Sequence, residues 1–132
     1  MARRLLDTSV LIAQWRRRSS LAKATPKGKD VVEWARELIQ LERTDAIASP
    51  VVIEFLAGTR NPQELNLAQQ FLAEFRAVDR QQIPVDDWRE AERLAQRVRA
   101  TGKARDLGDC LIRAIANRLN FDVRSLDKSF TA

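Results

Sequence analysis

A chain of 132 residues, 45% hydrophobic and 31% charged, has the length of one globular domain and the composition of neither a disordered nor a membrane-embedded protein. It holds no histidine and a single cysteine, Cys110. That removes histidine bases, histidine- or cysteine-ligated zinc and internal disulfides, and it fits a reducing cytoplasm. The net charge is +5, but residues 1–29 set eight Lys or Arg against Asp7 alone, a skew that points to a polyanionic partner, with a solvated loop as the plain alternative.

In chain order, residues 3–6 read as a short strand ending at Asp7, and residues 8–16 as a helix. No small-residue cleavage site follows this apolar stretch, so no signal peptide is expected, and nothing approaches a membrane span. Ser19 to Lys29, with Pro26 and Gly28, reads as a basic loop. From Asp30 to Arg43, Val31, Val32, Ala35, Leu38 and Ile39 share one helical face. Ala46 to Ala48 is a brief buried strand, after which Ser49 reads as an N-cap with Pro50 at the first helical position and Gly58 as the stop. Pro62 opens a helix to about Arg76, with Leu65, Ala68, Phe71, Leu72 and Phe75 as its stripe. Gln82 to Val85 is a strand candidate. Asp86 to Ala100 is a helix with Trp88, Ala91, Leu94, Ala95 and Val98 inward, Leu107 to Leu119 the last helix, and Phe121 to Leu126 the last strand. Strands alternating with helices predict an α/β fold, a three-layer α/β/α sandwich on a mostly parallel sheet, as one domain over residues 1–132.

Four carboxylates stand where burial is expected. Asp7 ends the first strand, at the edge where open parallel sheets bind ligands, although it also suits a helix N-cap. Glu54 lies within Val51-Val52-Ile53-Glu54-Phe55-Leu56-Ala57, where an ionised carboxylate needs compensation unless it occupies a thin exposed strip. Asp109 opens the run from Cys110 to Ala116, with Asp106 three residues earlier as the expected cap. Asp127 ends the last strand, where a turn aspartate is the alternative. In a doubly wound sheet these places converge on one edge. Carboxylates meeting there repel, and a hard divalent cation resolves the repulsion. Oxygen-only ligation selects Mg2+ or Mn2+, which can activate water and stabilise an in-line phosphoryl displacement.

These segments resemble a known family. Leu5-Leu6-Asp7-Thr8-Ser9-Val10-Leu11-Ile12 resembles the opening motif of PIN-domain nucleases, and Ser49 to Gly58 their second acidic motif. Leu107 to Ala116 resembles the third, and Ser125-Leu126-Asp127-Lys128-Ser129-Phe130 the fourth. The ordered set covers nearly the whole chain, whose length is similar to that of VapC-type toxins of toxin–antitoxin pairs. The resemblance implies a Mg2+- or Mn2+-dependent endoribonuclease neutralised by a VapB-like antitoxin, as a homodimer and a hetero-oligomer with that antitoxin, in the cytoplasm and away from membranes. It carries over Asp7, Glu54, Asp109 and Asp127 as catalytic and metal-binding acids, with Ser125 and Thr8 as supporting hydroxyls. The chain ends just after the fourth motif, where many relatives add a strand and a helix, so four strands are expected, with five as the alternative. Arg124 stands where an apolar or small residue is usual, and must either snorkel or face the site.

Arg16, Arg17, Arg18, Lys23, Lys27 and Lys29 are the expected contacts to the RNA backbone. Trp15 and Trp34 suit core packing better than base stacking. Arg89, Arg93 and Arg97 read as a salt-bridged solvated face. The competing functions are RNA processing or decay by the same chemistry, and a non-cleaving RNA-binding module. A phosphoacceptor enzyme built on Asp7 is disfavoured, because position 9 is Ser where such an enzyme needs a second Asp.

Overall fold

The computed structural model describes residues 3–101 and 107–126, with side chains placed to residue 97 in the first stretch. Asp106, Asp127 and the side chain of Val98 lie outside the described residues. The chain runs β1 (Arg3–Leu6), α1 (Thr8–Leu21), α2 (Gly28–Glu42), β2 (Ala46–Ile47), α3 (Ser49–Ala57), α4 (Pro62–Leu72), β3 (Arg76–Ala77), α5 (Val85–Thr101), α6 (Leu107–Leu119) and β4 (Phe121–Arg124).

Among the described residues all strand pairing is parallel. β1 pairs with β4, Leu5 facing Val123 and Leu6 facing Arg124, and the ladder continues where Asp7 N–H donates to the Arg124 carbonyl at 3.1 Å. β2 pairs with β3, Ile47 facing Ala77. The two pairs lie side by side, with Thr44 Oγ1 donating to the Arg4 carbonyl at 2.8 Å. The expected single four-stranded ladder is thus two parallel pairs. β2 is brief for a local reason: Pro50 has no N–H to donate and starts the next helix almost at once.

Leu5, Leu6, Leu11, Val31, Ile47, Val51, Phe71, Ile112 and Ile115 form the centre of the main core. α6 is buried on two sides. Ile112, Ile115 and Ala116 face that core, while Cys110, Leu111 and Ala114 meet Ala91 and Leu94 of α5.

Several expectations need correction. α1 runs on to Leu21, so the supposed loop from Ser19 begins helical; Arg16-Arg17-Arg18 are good helix formers, and Ser20 Oγ donates to the Arg17 carbonyl at 2.8 Å. α2 begins at Gly28, before Asp30, whose carboxylate accepts from Lys27 N–H at 2.8 Å. Ser49 is the first residue of α3, not its cap; Ala48 takes that place, and a carboxylate from elsewhere, Asp79, accepts from Ser49 N–H and Oγ, both at 3.0 Å. The third strand is Arg76–Ala77, where α4 was expected to continue. Residues 82–85 form no strand: left-handed Arg80 and Gln81 turn the chain just before them, and Pro84 removes a donor.

The inward face of α5 is also rotated. Trp88 is 45% exposed and Ala95 is exposed, whereas Asp87 is only 2% exposed. Arg118 explains the reversal, since its Nε donates to both Asp87 oxygens at 2.9 and 3.0 Å. Trp34 is buried in the core, and Trp15, half-buried, packs edge-on against Trp34, Phe55 and Phe71. The Trp15 ring thereby bridges α2 and α3, touching Trp34 of one and Phe55 of the other. On α5, Arg93 pairs with Glu90 as expected of a solvated face.

Candidate active site

Asp7 combines both of its sequence readings. It caps α1 in extended backbone conformation, and as the residue after β1 it is held 3% exposed at the strand end. Its Oδ1 accepts from Ser9 N–H at 3.1 Å and from Ser9 Oγ at 2.5 Å. Ser9 Oγ in turn accepts from Leu126 N–H at 2.9 Å and lies 3.3 Å from Ser125 Oγ. One hydroxyl therefore ties the end of β1 to the segment that follows β4.

Glu54 reaches the same region from α3. It is half-buried, and its Oε1 accepts from Thr8 Oγ1 at 2.6 Å. The neighbouring Ile53 is exposed, so the thin exposed strip considered for this helix does exist, and Glu54 sits at its margin. The Glu54 carboxylate lies against the α-carbon of Gly108, and a Cβ built there would come within 2.6 Å of its carboxyl carbon. Gly108 is in the first turn of α6, next to Asp109, which is half-buried there. A glycine at 108 leaves room for a carboxylate that any side chain would displace.

Three of the four sequence-predicted acids, Asp7, Glu54 and Asp109, are thus described, and Asp127 lies outside the described residues. The hydroxyls Thr8 and Ser125 take part, Thr8 on Glu54 and Ser125 beside Ser9. Sequence reasoning missed Ser9 and Gly108. The signal for Ser9 was present, because an Asp followed two residues later by Ser at a helix start is an Asx-type turn. Gly108 had no such signal, since its neighbour Glu54 is remote in the chain.

The basic residues divide. Arg17 and Arg18 reach Glu37, at 2.9 and 3.7 Å, and Gln14 Nε2 donates to the same carboxylate at 3.0 Å. The Gln14 bond, with help from the two arginines and against partial burial, holds Glu37 below the usual glutamate range. Arg16 lines a groove that opens beside Glu54. Lys23, Lys27 and Lys29 are exposed between and at the start of the helices. Arg124 turns to Glu42, Nε to Oε1 at 3.0 Å, which settles the question raised by a charge in that strand.

The sequence profile described as PIN domain matches residues 4–132. The chain belongs to the PIN domain family. No curated protein matches it. PIN domains are three-layer α/β/α folds, and they are generally metal-dependent nucleases, commonly acting on RNA. Among the described residues no helix is long and apolar enough to cross a membrane.

PIN domain nucleases typically use Mg2+ or Mn2+. The residues present fit such an ion chemically: the donors are carboxylate and hydroxyl oxygens, and the space over Gly108 admits the Glu54 carboxylate. No group of three Asp, Glu or Cys side chains that could hold an ion gathers among the described residues. Mg2+ commonly takes one or two carboxylates and keeps several waters, so that count is compatible with an ion held here.

Proposed function

We propose that this PIN domain, a single domain over residues 1–132, is a Mg2+- or Mn2+-dependent endoribonuclease and the toxin of a toxin–antitoxin pair. Asp7, Glu54, Asp109 and Asp127 are its catalytic and metal-binding acids, with Thr8 and Ser125 supporting them. The observation that carries the reading is the meeting of three sequence motifs. Thr8 donates to Glu54, and Glu54 packs on Gly108 beside Asp109.

A bound divalent cation supplies charge compensation and water activation for attack on a phosphodiester. The chain's own residues do the rest. Ser9 fixes the Asp7 carboxylate through two bonds on Oδ1 and so presets its orientation. Thr8 does the same for Glu54 with a single bond. The basic segment, Arg16, Arg17, Arg18, Lys23, Lys27 and Lys29, draws the RNA backbone toward this edge. The toxin reading adds a VapB-like antitoxin, a homodimer and a cytoplasmic setting. An inserted Arg or Lys from the antitoxin would replace the cation's charge and pair with the carboxylates.

The test is cleavage of single-stranded RNA by the purified protein with Mn2+. Asp7→Asn and Asp109→Asn should abolish it with the fold kept, and EDTA should silence the wild type. Cleavage that persists in EDTA rejects the metal chemistry. Co-expression with a neighbouring small reading frame should give an inactive complex, and a complex as active as the free chain rejects the toxin role.

A further inference from the structure

A groove of about 620 Å3 runs between α1 and the turn from α3 to α4, and Glu54 stands in its wall. Arg16 borders it from α1 and Arg60 from beyond α3, while Trp15 and Phe55 form part of its apolar lining. Among the described residues Arg16 pairs with no carboxylate, unlike Arg17 and Arg18, which share Glu37. Arg60 has a loose partner, Glu64 at 3.6 Å, and is otherwise exposed. The aromatic lining is preset: Trp15 meets Trp34, Phe55 and Phe71 edge-on, at centroid distances of 5.4, 5.5 and 5.2 Å.

Two guanidinium groups on a groove with one aromatic wall and hydroxyls at Ser19, Ser20 and Thr59 match an anion joined to a flat ring. Arginine forks suit phosphate oxygens, and a fixed apolar surface receives a base without first having to be ordered. Glu54 and Glu64 also line the groove, so a cation has its place at the Glu54 wall, whereas a purely apolar ligand leaves both arginines unused. We propose that this groove seats one nucleotide of a single-stranded RNA beside the bond to be cut, its phosphate between Arg16 and Arg60 and its base on the Trp15–Phe55 side. The inference rests on the ribonuclease reading and extends it by naming the subsite. It also accounts for strand selectivity, because a base must leave its stack to reach the lining.

The experiment uses the full chain in EDTA, with Trp88→Phe removing the exposed tryptophan signal, titrated with a short single-stranded RNA. Tryptophan fluorescence should be quenched on binding, and duplex RNA should quench far less. Arg16→Gln and Arg60→Gln should each weaken binding by about tenfold. Each should also lower the slope of log affinity against log salt by about 0.7. With Mn2+ present, both should raise KM and leave kcat nearly unchanged. Arg36→Gln, which removes the same charge from an exposed pair with Glu74, should change none of these. Wild-type affinity in both groove variants, or equal quenching by duplex, overturns the proposal. It is also overturned if the variants keep RNA affinity and lose only a protein partner. A wild type that binds as described yet never cuts RNA supports the subsite and rejects the nuclease reading, so the two failures are separable.

Discussion

At Gly108 a single missing methyl group should matter more to the proposed function than to folding. Alanine there would meet the Glu54 carboxylate, the far end of a flexible side chain that can swing aside at small cost. Alanine is also the better helix former, by about 1 kcal/mol in a helix interior. Gly108→Ala should therefore melt within a few degrees of wild type and yet lose most cleavage, because Glu54 can no longer lie beside Asp109. A large fall in melting temperature would show that the glycine serves packing instead. Ser9→Ala should behave in the opposite way. It removes a bond to a nearly buried carboxylate and the acceptor for Leu126 N–H, so it should cost about 1–3 kcal/mol in chemical denaturation as well as activity.

At the scale of elements, α3 is positioned by a residue outside it. Asp79, 5% exposed, accepts from Ser49 N–H and Oγ and so caps the helix that presents Glu54. Asp79→Ala should lower stability by about 1–2 kcal/mol and loosen Glu54, while Asp79→Asn, which keeps an acceptor oxygen, should recover most of both. Urea unfolding of the two variants checks this. The same relation explains what the sequence shows of the elements and what it hides. β1, α6 and the core face of α2 were legible because periodicity and caps are local, and so was that of α4 except for Leu65, which is exposed. The cap of α3, the strand at Arg76–Ala77 and the buried face of α5 were not. Each depends on a partner far along the chain: Asp79 for Ser49, β2 for β3, and Arg118 for Asp87. Counting apolar residues placed Trp88 inside α5, whereas an acid neutralised by a guanidinium took the buried position.

The α1–α2 contact has its own pH signature. Glu37 titrates below the ordinary glutamate value in the folded chain, first through the Gln14 bond and then through Arg17 and Arg18, with partial burial opposing. A lowered folded value means the carboxylate form favours the fold. Its contribution is complete above the unfolded glutamate value and is lost as pH falls through the folded one. Glu37 is well exposed, so solvent screening keeps the effect small. Melting of wild type and Glu37→Gln from neutral to strongly acid pH should show a small gap that closes on the acid side. A gap that widens there would assign the arginines to other partners.

Over the whole molecule, the parallel arrangement puts the ends of β1 and β4 together and brings α3 and the start of α6 to the same edge. Three motifs far apart in sequence thereby become neighbours, through the Thr8–Glu54 bond and the packing of Glu54 on Gly108. On the proposed site, this arrangement would also concentrate like charge. Two carboxylates roughly 6 Å apart repel by about 3 kcal/mol at an effective dielectric near 20. A helix N-terminus returns only about 0.3–1 kcal/mol to an acid in its first turn. If Asp109 belongs to the cluster, repulsion wins in the metal-free protein, and Asp109→Asn should raise its melting temperature. Mg2+ at tenfold its dissociation constant should then stabilise the wild type by about 1.4 kcal/mol through mass action. For a chain of this size that is a rise of roughly 4–6 °C. The same Mg2+ should shift Asp109→Asn much less, since one ligand and one source of repulsion are gone together. Four melts, each protein with and without Mg2+, measure both effects. A variant that melts below wild type without metal, with an undiminished Mg2+ shift, would make Asp109 a helix-dipole acid and leave the ion to the remaining carboxylates.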